Sequence, residues 1–189
     1  DERRTKVVRG AAKEISEEDI IPEEETIMVL TRGGYIKRVK PESYRVQKRG
    51  GKGVVGMDTK EEDVVQHFLT ANTHSDLLFF TDFGKVYQIK AYEIPEATRI
   101  SRGKAVHNFI SIGGNEAVQS ILNTPKRSKG EKHEGYLVMA TKNGMIKKVA
   151  GSAFDAVRRS GLVAIRLKKG DSLRWVKITK GHDDIITVT

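Results

Sequence analysis

The chain contains no cysteine. That one absence excludes a disulfide scaffold, a cysteine zinc finger, an iron–sulfur centre and a thiol nucleophile, and it fits a reducing cytoplasm. No apolar run approaches the roughly 20 residues that carry a helix across a bilayer. The opening Asp1-Glu2-Arg3-Arg4 is the opposite of a signal peptide's apolar core. Catalytic constellations are missing as well. His67, His74, His107, His133 and His182 are scattered, with no pair at metal-ligand spacing, so surface or satisfied structural roles are expected of them. There is no G-x-S-x-G elbow and no carboxylate pair that the sequence places in one site. Proline is scarce, at 4 of 189 residues, against 18 glycines and 38% hydrophobic residues. That is the composition of a globular, turn-rich chain.

What is present is positive charge, unevenly placed. Residues 1–25 hold five basic and nine acidic side chains, a net of −4, and residues 26–189 hold 29 basic and 16 acidic, a net of +13. A folded body this basic attracts polyanions, nucleic acid foremost. Residues 1–25 read as an acidic connecting segment. Ser16-Glu17-Glu18-Asp19 has the form of a helix start, and Pro22 with Glu23-Glu24-Glu25 ends the helix in a charged linker. The first reading is a solvated acidic arm; the second is an arm that competes for the nucleic-acid site of the basic body.

From Thr26 onward the pattern is all-β and it repeats. Ile27-Met28-Val29-Leu30-Thr31, a turn at Arg32-Gly33-Gly34, and Tyr35-Ile36-Lys37-Arg38-Val39 spell a hairpin. Leu77-Leu78-Phe79-Phe80-Thr81 with Lys85-Val86-Tyr87-Gln88-Ile89 repeats it, as does Leu137-Val138-Met139-Ala140-Thr141 with Met145-Ile146-Lys147-Lys148-Val149. Gly34, Gly84 and Gly144 occupy the turns, where a positive φ is needed. The second half of each unit repeats too: Arg49-Gly50-Gly51-Lys52-Gly53-Val54, Ser101-Arg102-Gly103-Lys104-Ala105-Val106 and Arg159-Ser160-Gly161-Leu162-Val163-Ala164 align. Each is followed by an acidic residue and an apolar strand, at 63–69, 116–122 and 171–178. About four strands per unit over roughly 50 residues is the size of a propeller blade. The expected blades are approximately 26–76, 77–135 and 136–184, with a fragment at 185–189. Three blades and a start do not close a ring, so a truncated chain or an open array is expected. Residues 123–135 read as a mobile basic insertion, Trp175 as a core residue, and Tyr44 and Tyr92 as packing residues before base-stacking ones.

Gln47-Lys48-Arg49-Gly50-Gly51-Lys52-Gly53 is the most informative stretch. Three cations and three glycines on one loop suit a phosphate backbone, the cations neutralising it and the bare glycines letting amides approach; Arg45 extends the contact. Gly51-Lys52-Gly53-Val54-Val55-Gly56 spells G-x-G-x-x-G, but it lacks the preceding apolar strand and following helix of a dinucleotide fold. Gly53 stands where a P-loop needs Ser or Thr. Arg38 with Lys40, Lys85 with Lys90, and Lys147 with Lys148 leave the second hairpin strands. Arg99 with Arg102 and Lys104, and Arg158 with Arg159, fall in the box-equivalent loops. Stacked repeats would set these cations along one rim.

These residues resemble the C-terminal DNA-wrapping domain of the DNA gyrase A family of type IIA topoisomerases. Gln47 to Gly53 matches that family's box of Gln, basic, Arg, Gly, Gly, any, Gly. Glu61-Glu62-Asp63, Ala71-Asn72-Thr73-His74, Gly84-Lys85-Val86-Tyr87, Pro95-Glu96-Ala97-Thr98-Arg99 and Ala140-Thr141-Lys142-Asn143-Gly144 follow in the same order. Asp1-Glu2-Arg3-Arg4-Thr5 is similar to the segment leaving the breakage–reunion domain. The resemblance implies an all-β pinwheel whose blades exchange outer strands. It implies sequence-nonspecific binding, bending and right-handed wrapping of double-stranded DNA on the rim, which lets an ATP-driven complex introduce negative supercoils. It implies no catalytic site, metal or cofactor in this segment, ATP and magnesium acting elsewhere. The implied partners are the remainder of the gyrase A polypeptide and the gyrase B polypeptide in an A2B2 complex, in the bacterial cytoplasm at the nucleoid, with no membrane. Two other readings remain: a DNA-steering domain of the topoisomerase IV type, which the intact box opposes, and a propeller binding protein partners, which the charge opposes.

Overall fold

In the computed structural model of the chain, residues 17–44, 63–126 and 130–184 are described. The described part of the acidic segment holds one helical turn, α1 (Glu17–Ile20). Apart from short 3-10 turns, the remaining described elements are β-strands in three antiparallel sheets. The first is built on the hairpin β1 (Glu25–Thr31) and β2 (Tyr35–Val39), with β3 (Val65–Asn72) on the far side of β1. The second repeats this with β4 (Asp76–Thr81), β5 (Lys85–Lys90) and β7 (Val118–Thr124). The third has β8 (Tyr136–Thr141), β9 (Ile146–Ala150) and β11 (Leu173–Thr179). Two short strands remain, β6 (Lys104–Ala105) and β10 (Leu162–Val163), and each pairs with the sheet of the repeat before its own. Tyr35 faces Ala105 and Ile36 faces Lys104; Val86 faces Leu162 and Lys85 faces Val163. The sheets are therefore linked by exchanged outer strands, as the resemblance implies.

Each hairpin closes in the same way. Gly34, Gly84 and Gly144 carry φ of 78°, 74° and 85°, and their amides donate to the carbonyls of Thr31, Thr81 and Thr141. Acidic residues ahead of the inner strands cap two of these turns: Asp63 accepts from the Gly33 amide at 2.8 Å and Asp171 from the Asn143 amide at 3.0 Å. The second repeat inverts the arrangement. Asp82, in its turn, accepts from the Ala117 amide, and Glu116 folds inward. The exchanged strand is locked at the same point in both junctions, because Val106 donates to the Gly34 carbonyl and Ala164 to that of Gly84.

The sheets stack face to face over two cores. Met28, Leu30 and Ile36 meet Leu77, Phe79, Tyr87 and Ile89 in the first, and Leu78, Phe80 and Val86 meet Leu137 and Met139 in the second. Strand β4 serves both cores, so all six of its residues are buried and its sequence Leu77-Leu78-Phe79-Phe80 shows no alternation. Each such side chain contributes about 1.5–3 kcal/mol of burial. Strands β3, β7 and β11 lie at the inner ends of their sheets and touch one another. Asn123 donates to the Thr70 carbonyl, and Ser120 to that of Val176. Strands β6 and β10 thus form the outer rim.

Trp175 departs from expectation. It is 62% exposed, not core. The register of β11 shifts between Leu173 and Trp175, so Leu173 and Val176 turn inward and the indole between them turns out. A bulge of this kind breaks the two-residue period on which a strand reading depends. In the described part of the 123–135 stretch, one residue is held in place. His133 is buried, its ring nitrogen 2.7 Å from Asp155 and its amide donating to the same carboxylate.

Candidate nucleic-acid interface

The glycine-rich box, Gln47, Lys48, Arg49, Gly50, Gly51, Lys52 and Gly53, lies outside the described residues, as does Arg45. Its equivalents in the next two repeats are described, and they show what the motif does to the backbone. Gly103 and Gly161 carry φ of 89° and 86°. A Cβ on Gly103 would lie 2.5 Å from the Ile36 carbonyl oxygen, and one on Gly161 would lie 2.5 Å from the Tyr87 ring. These glycines let the chain press against the preceding sheet just before the exchanged strand.

Lys37 fixes the loop ahead of the first exchange, a role that the sequence does not suggest. It is 1% exposed, and its ammonium donates to the carbonyls of Thr98, Arg99 and Ser101. Burial, and then the Arg99 charge, lower its pKa from the usual lysine value. A strand pattern that ends in Lys-Arg-Val-Lys gives no sign that the first cation points inward.

The remaining rim cations divide by what holds them. Some are neutralised. Lys85 lies 3.3 Å from Glu116, Lys90 lies 3.1 Å from Asp76, and Arg159 pairs with Glu93. Arg38 donates to the Ile94 carbonyl and reaches Glu96 at 4.0 Å, while Lys40 is 3.9 Å from the same carboxylate. Others are met by carbonyls and ring faces. Arg102 stacks on the Tyr35 ring, 3.6 Å from its centroid. Arg99 lies over Tyr44 and donates to the Ser43 carbonyl. Lys147 donates to the Ala164 carbonyl, and Lys148 to that of Gly181 while lying over Tyr136. Lys104, on the outermost strand β6, and Arg158 are exposed. Carbonyls and ring faces orient a cation without cancelling it, so Arg102, Lys104, Lys147, Lys148 and Arg158 form the phosphate-ready part of the rim. The track is interrupted at β10, where Leu162 replaces the lysine of the other repeats.

Glu116 explains why Lys85 is not part of that set. Its carboxylate, almost wholly buried, accepts from the hydroxyls of Thr81 and Tyr87, the Gly113 amide and Lys85. Burial pushes the Glu116 carboxyl up, but these donors outweigh it and hold it below the usual carboxylate value. Hydrogen bonding and charge from Glu116 raise the Lys85 pKa in turn. Tyr44 and Tyr92 pack as expected, edge-on to Phe68 and His74. Among the described residues no group of three or more His, Asp or Glu is spaced to hold a metal ion, and no helix is long and apolar enough to cross a membrane.

Comparison with known proteins bears on this arrangement directly. The family model described as "DNA gyrase C-terminal domain, beta-propeller" matches residues 25–72, 75–125 and 135–180, one match for each repeat. The DNA gyrase A protein of Clostridium acetobutylicum is 45% identical over all 189 residues, and that of Mycolicibacterium smegmatis 43%. The chain spans 22% of the length of each, about a fifth of these curated relatives. Among solved structures, a DNA gyrase A C-terminal domain superposes with a TM-score of 0.64 at 28% identity, covering 82% of this chain and 48% of that one. The C-terminal domain of DNA topoisomerase IV superposes at 0.67 and 26%, covering 85% of this chain and 47% of that one.

Proposed function

Because this chain belongs to the DNA gyrase C-terminal domain family of β-propellers, we propose that it binds duplex DNA without reading base sequence, then bends and wraps it around the rim. The observation that carries this reading is the set of rim cations held by carbonyls and ring faces, with charge left over for phosphate. The box residues Gln47 to Gly53 would anchor the wrap, and Arg102, Lys104, Lys147, Lys148 and Arg158 would extend it. In the whole protein this wrap would present a crossover to the strand-passage gate, so that an A2B2 complex with gyrase B, using ATP and magnesium held elsewhere, introduces negative supercoils in the bacterial cytoplasm.

The solved topoisomerase IV domain resembles this fold as well as the gyrase domain does. That supports a second reading, a domain that steers DNA without wrapping it fully, and the intact box is what favours the first. One experiment separates them. A nicked plasmid is bound to the chain, ligated, stripped of protein and compared on a gel with a protein-free control. Wrapping predicts a shift toward positive linking difference; salt-dependent binding with no shift refutes wrapping by these repeats and leaves the steering reading.

A further inference from the structure

The acidic segment does not hang free of the blades. Its last residues are pinned to the connection between β3 and β4 by neutral bonds: Thr73 donates its amide to the Glu24 carbonyl and its hydroxyl to that of Pro22, and the His74 ring meets the Ile21 carbonyl at 2.8 Å. Helix α1, one turn further out, is attached differently. Ile20 is 73% exposed, so that side chain anchors nothing. Glu18 instead points one carboxylate oxygen into a cluster of nitrogens, 3.4 Å from the Lys126 ammonium, 3.6 Å from His74 Nδ1 and 3.9 Å from the Lys90 ammonium. That oxygen is buried, yet it accepts no hydrogen bond of good geometry. His74 Nε2 donates to the Ile21 carbonyl, so its Nδ1 accepts from the Lys126 ammonium at 3.0 Å and orients it, and the two ammoniums converge on an anion that fits them only loosely.

The charge count explains the convergence. With Glu18 in place, the charges of Lys90 and Lys126 balance those of Glu18 and Asp76. Without Glu18 these side chains carry one net positive charge. A phosphate oxygen can approach an ammonium to about 2.8 Å, closer than Glu18 does here. The pocket thus has the chemistry of a phosphate site filled by a carboxylate from the same chain.

We propose that Lys126 and Lys90, with His74 orienting the Lys126 ammonium, form a phosphate-oxygen site that Glu18 occludes, and that the backbone of duplex DNA displaces Glu18 and releases α1. The proposal rests on the DNA-binding reading above and assigns it a built-in competitor. The bonds of residues 21–24 to Thr73 and His74 stay in place, so release is confined to the turn at 17–20.

The test compares duplex affinity of the wild-type chain with that of Glu18→Gln and Glu23→Gln, the latter removing the same charge from an exposed neighbour outside the pocket. Each is measured also with Lys126→Ala, over a salt series. Freeing about one phosphate contact predicts about three- to fivefold tighter binding for Glu18→Gln at low salt and a slope of log K against log salt steeper by roughly 0.9. The gain should vanish on the Lys126→Ala background. Inorganic phosphate at constant ionic strength distinguishes the sources: if it erases the gain the site takes any phosphate oxyanion, and if not it takes the duplex backbone, and either result supports the site. Equal gains from Glu18→Gln and Glu23→Gln, or a gain that survives Lys126→Ala, overturns the proposal while leaving DNA binding intact. A chain that binds no duplex in any form overturns both readings.

Discussion

Replacing Gly103 with alanine tests the strand exchange at its tightest point. Gly103 holds φ at 89°, where an L side chain is strained by about 1–2 kcal/mol. The new Cβ would lie 2.5 Å from the Ile36 carbonyl oxygen and 2.9 Å from its carbonyl carbon. Both are backbone atoms of a paired strand and cannot swing aside, which adds a further 1–3 kcal/mol, roughly the range of an overpacked core. Against this stands about 0.4–1 kcal/mol gained by restricting the unfolded chain. The expected net loss is about 2–4 kcal/mol, a fall in Tm of roughly 5–15 °C for a domain of this size. Two controls separate the causes. Gly144 has φ of 85° but open space around its Cβ, so Gly144→Ala carries the strain alone and should cost about 0.5–1.5 kcal/mol. Gly114 has neither constraint, so its alanine variant keeps only the unfolded-chain gain and should match or exceed wild type by up to about 1 kcal/mol. Thermal unfolding of the three variants side by side is the assay. If Gly103→Ala falls no further than Gly144→Ala, the contact with Ile36 is not what places the exchanged strand.

Lys37→Met leaves the carbonyls of Thr98, Arg99 and Ser101 without their donor, and urea unfolding should record a loss of about 2–4 kcal/mol. Glu116 has a depressed pKa in the folded state, so its contribution is fully present above the unfolded value of 4.5 and is lost as pH falls through the folded value. Glu116→Gln should therefore flatten the fall of Tm measured between about pH 5 and pH 3; an unchanged acid limb refutes the assignment. Trp175→Ser should change stability by less than about 1 kcal/mol, since the indole is largely in water. Its fluorescence in the wild type should be red-shifted and readily quenched by acrylamide. Removing Arg102 or Lys104 should lower the salt slope of duplex binding by roughly 0.9 each, whereas Lys85→Ala, which deletes a cation already paired with Glu116, should leave it unchanged.

The hairpins are legible in the sequence because the turn glycines recur in phase and the flanking runs are β-branched or aromatic. The identity of each outer strand is not. β6 and β10 are two residues long, and Tyr35 finds its partner in Ala105, so no local pattern marks the pairing. What the repeat alignment does show is that Gly51, Gly103 and Gly161 are equivalent; the steric reason appears only when Gly103 is seen against Ile36 and Gly161 against Tyr87. For the rim, sequence phase gathers the right kind of residue without separating free charge from spent charge. Arg159 meets Glu93 and Lys85 meets Glu116, and such distant partners decide whether a cation is available to phosphate. Trp175 misleads because a bulge cannot be seen in a run that is apolar on both sides of it.

The borrowing of outer strands also sets how the molecule can be assembled and edited. Neither of the first two sheets is finished by its own repeat: the first waits for residues 104–105, and the second for residues 162–163. On a ribosome, each of the first two blades therefore stays one strand short until the next repeat emerges, and these junctions close in sequence order like interlocking tiles. Excising the middle repeat would remove one sheet and leave the first without its edge strand and the third without its neighbour. Whole repeats in this fold cannot be treated as interchangeable parts, and a change in their number has to preserve every junction between them.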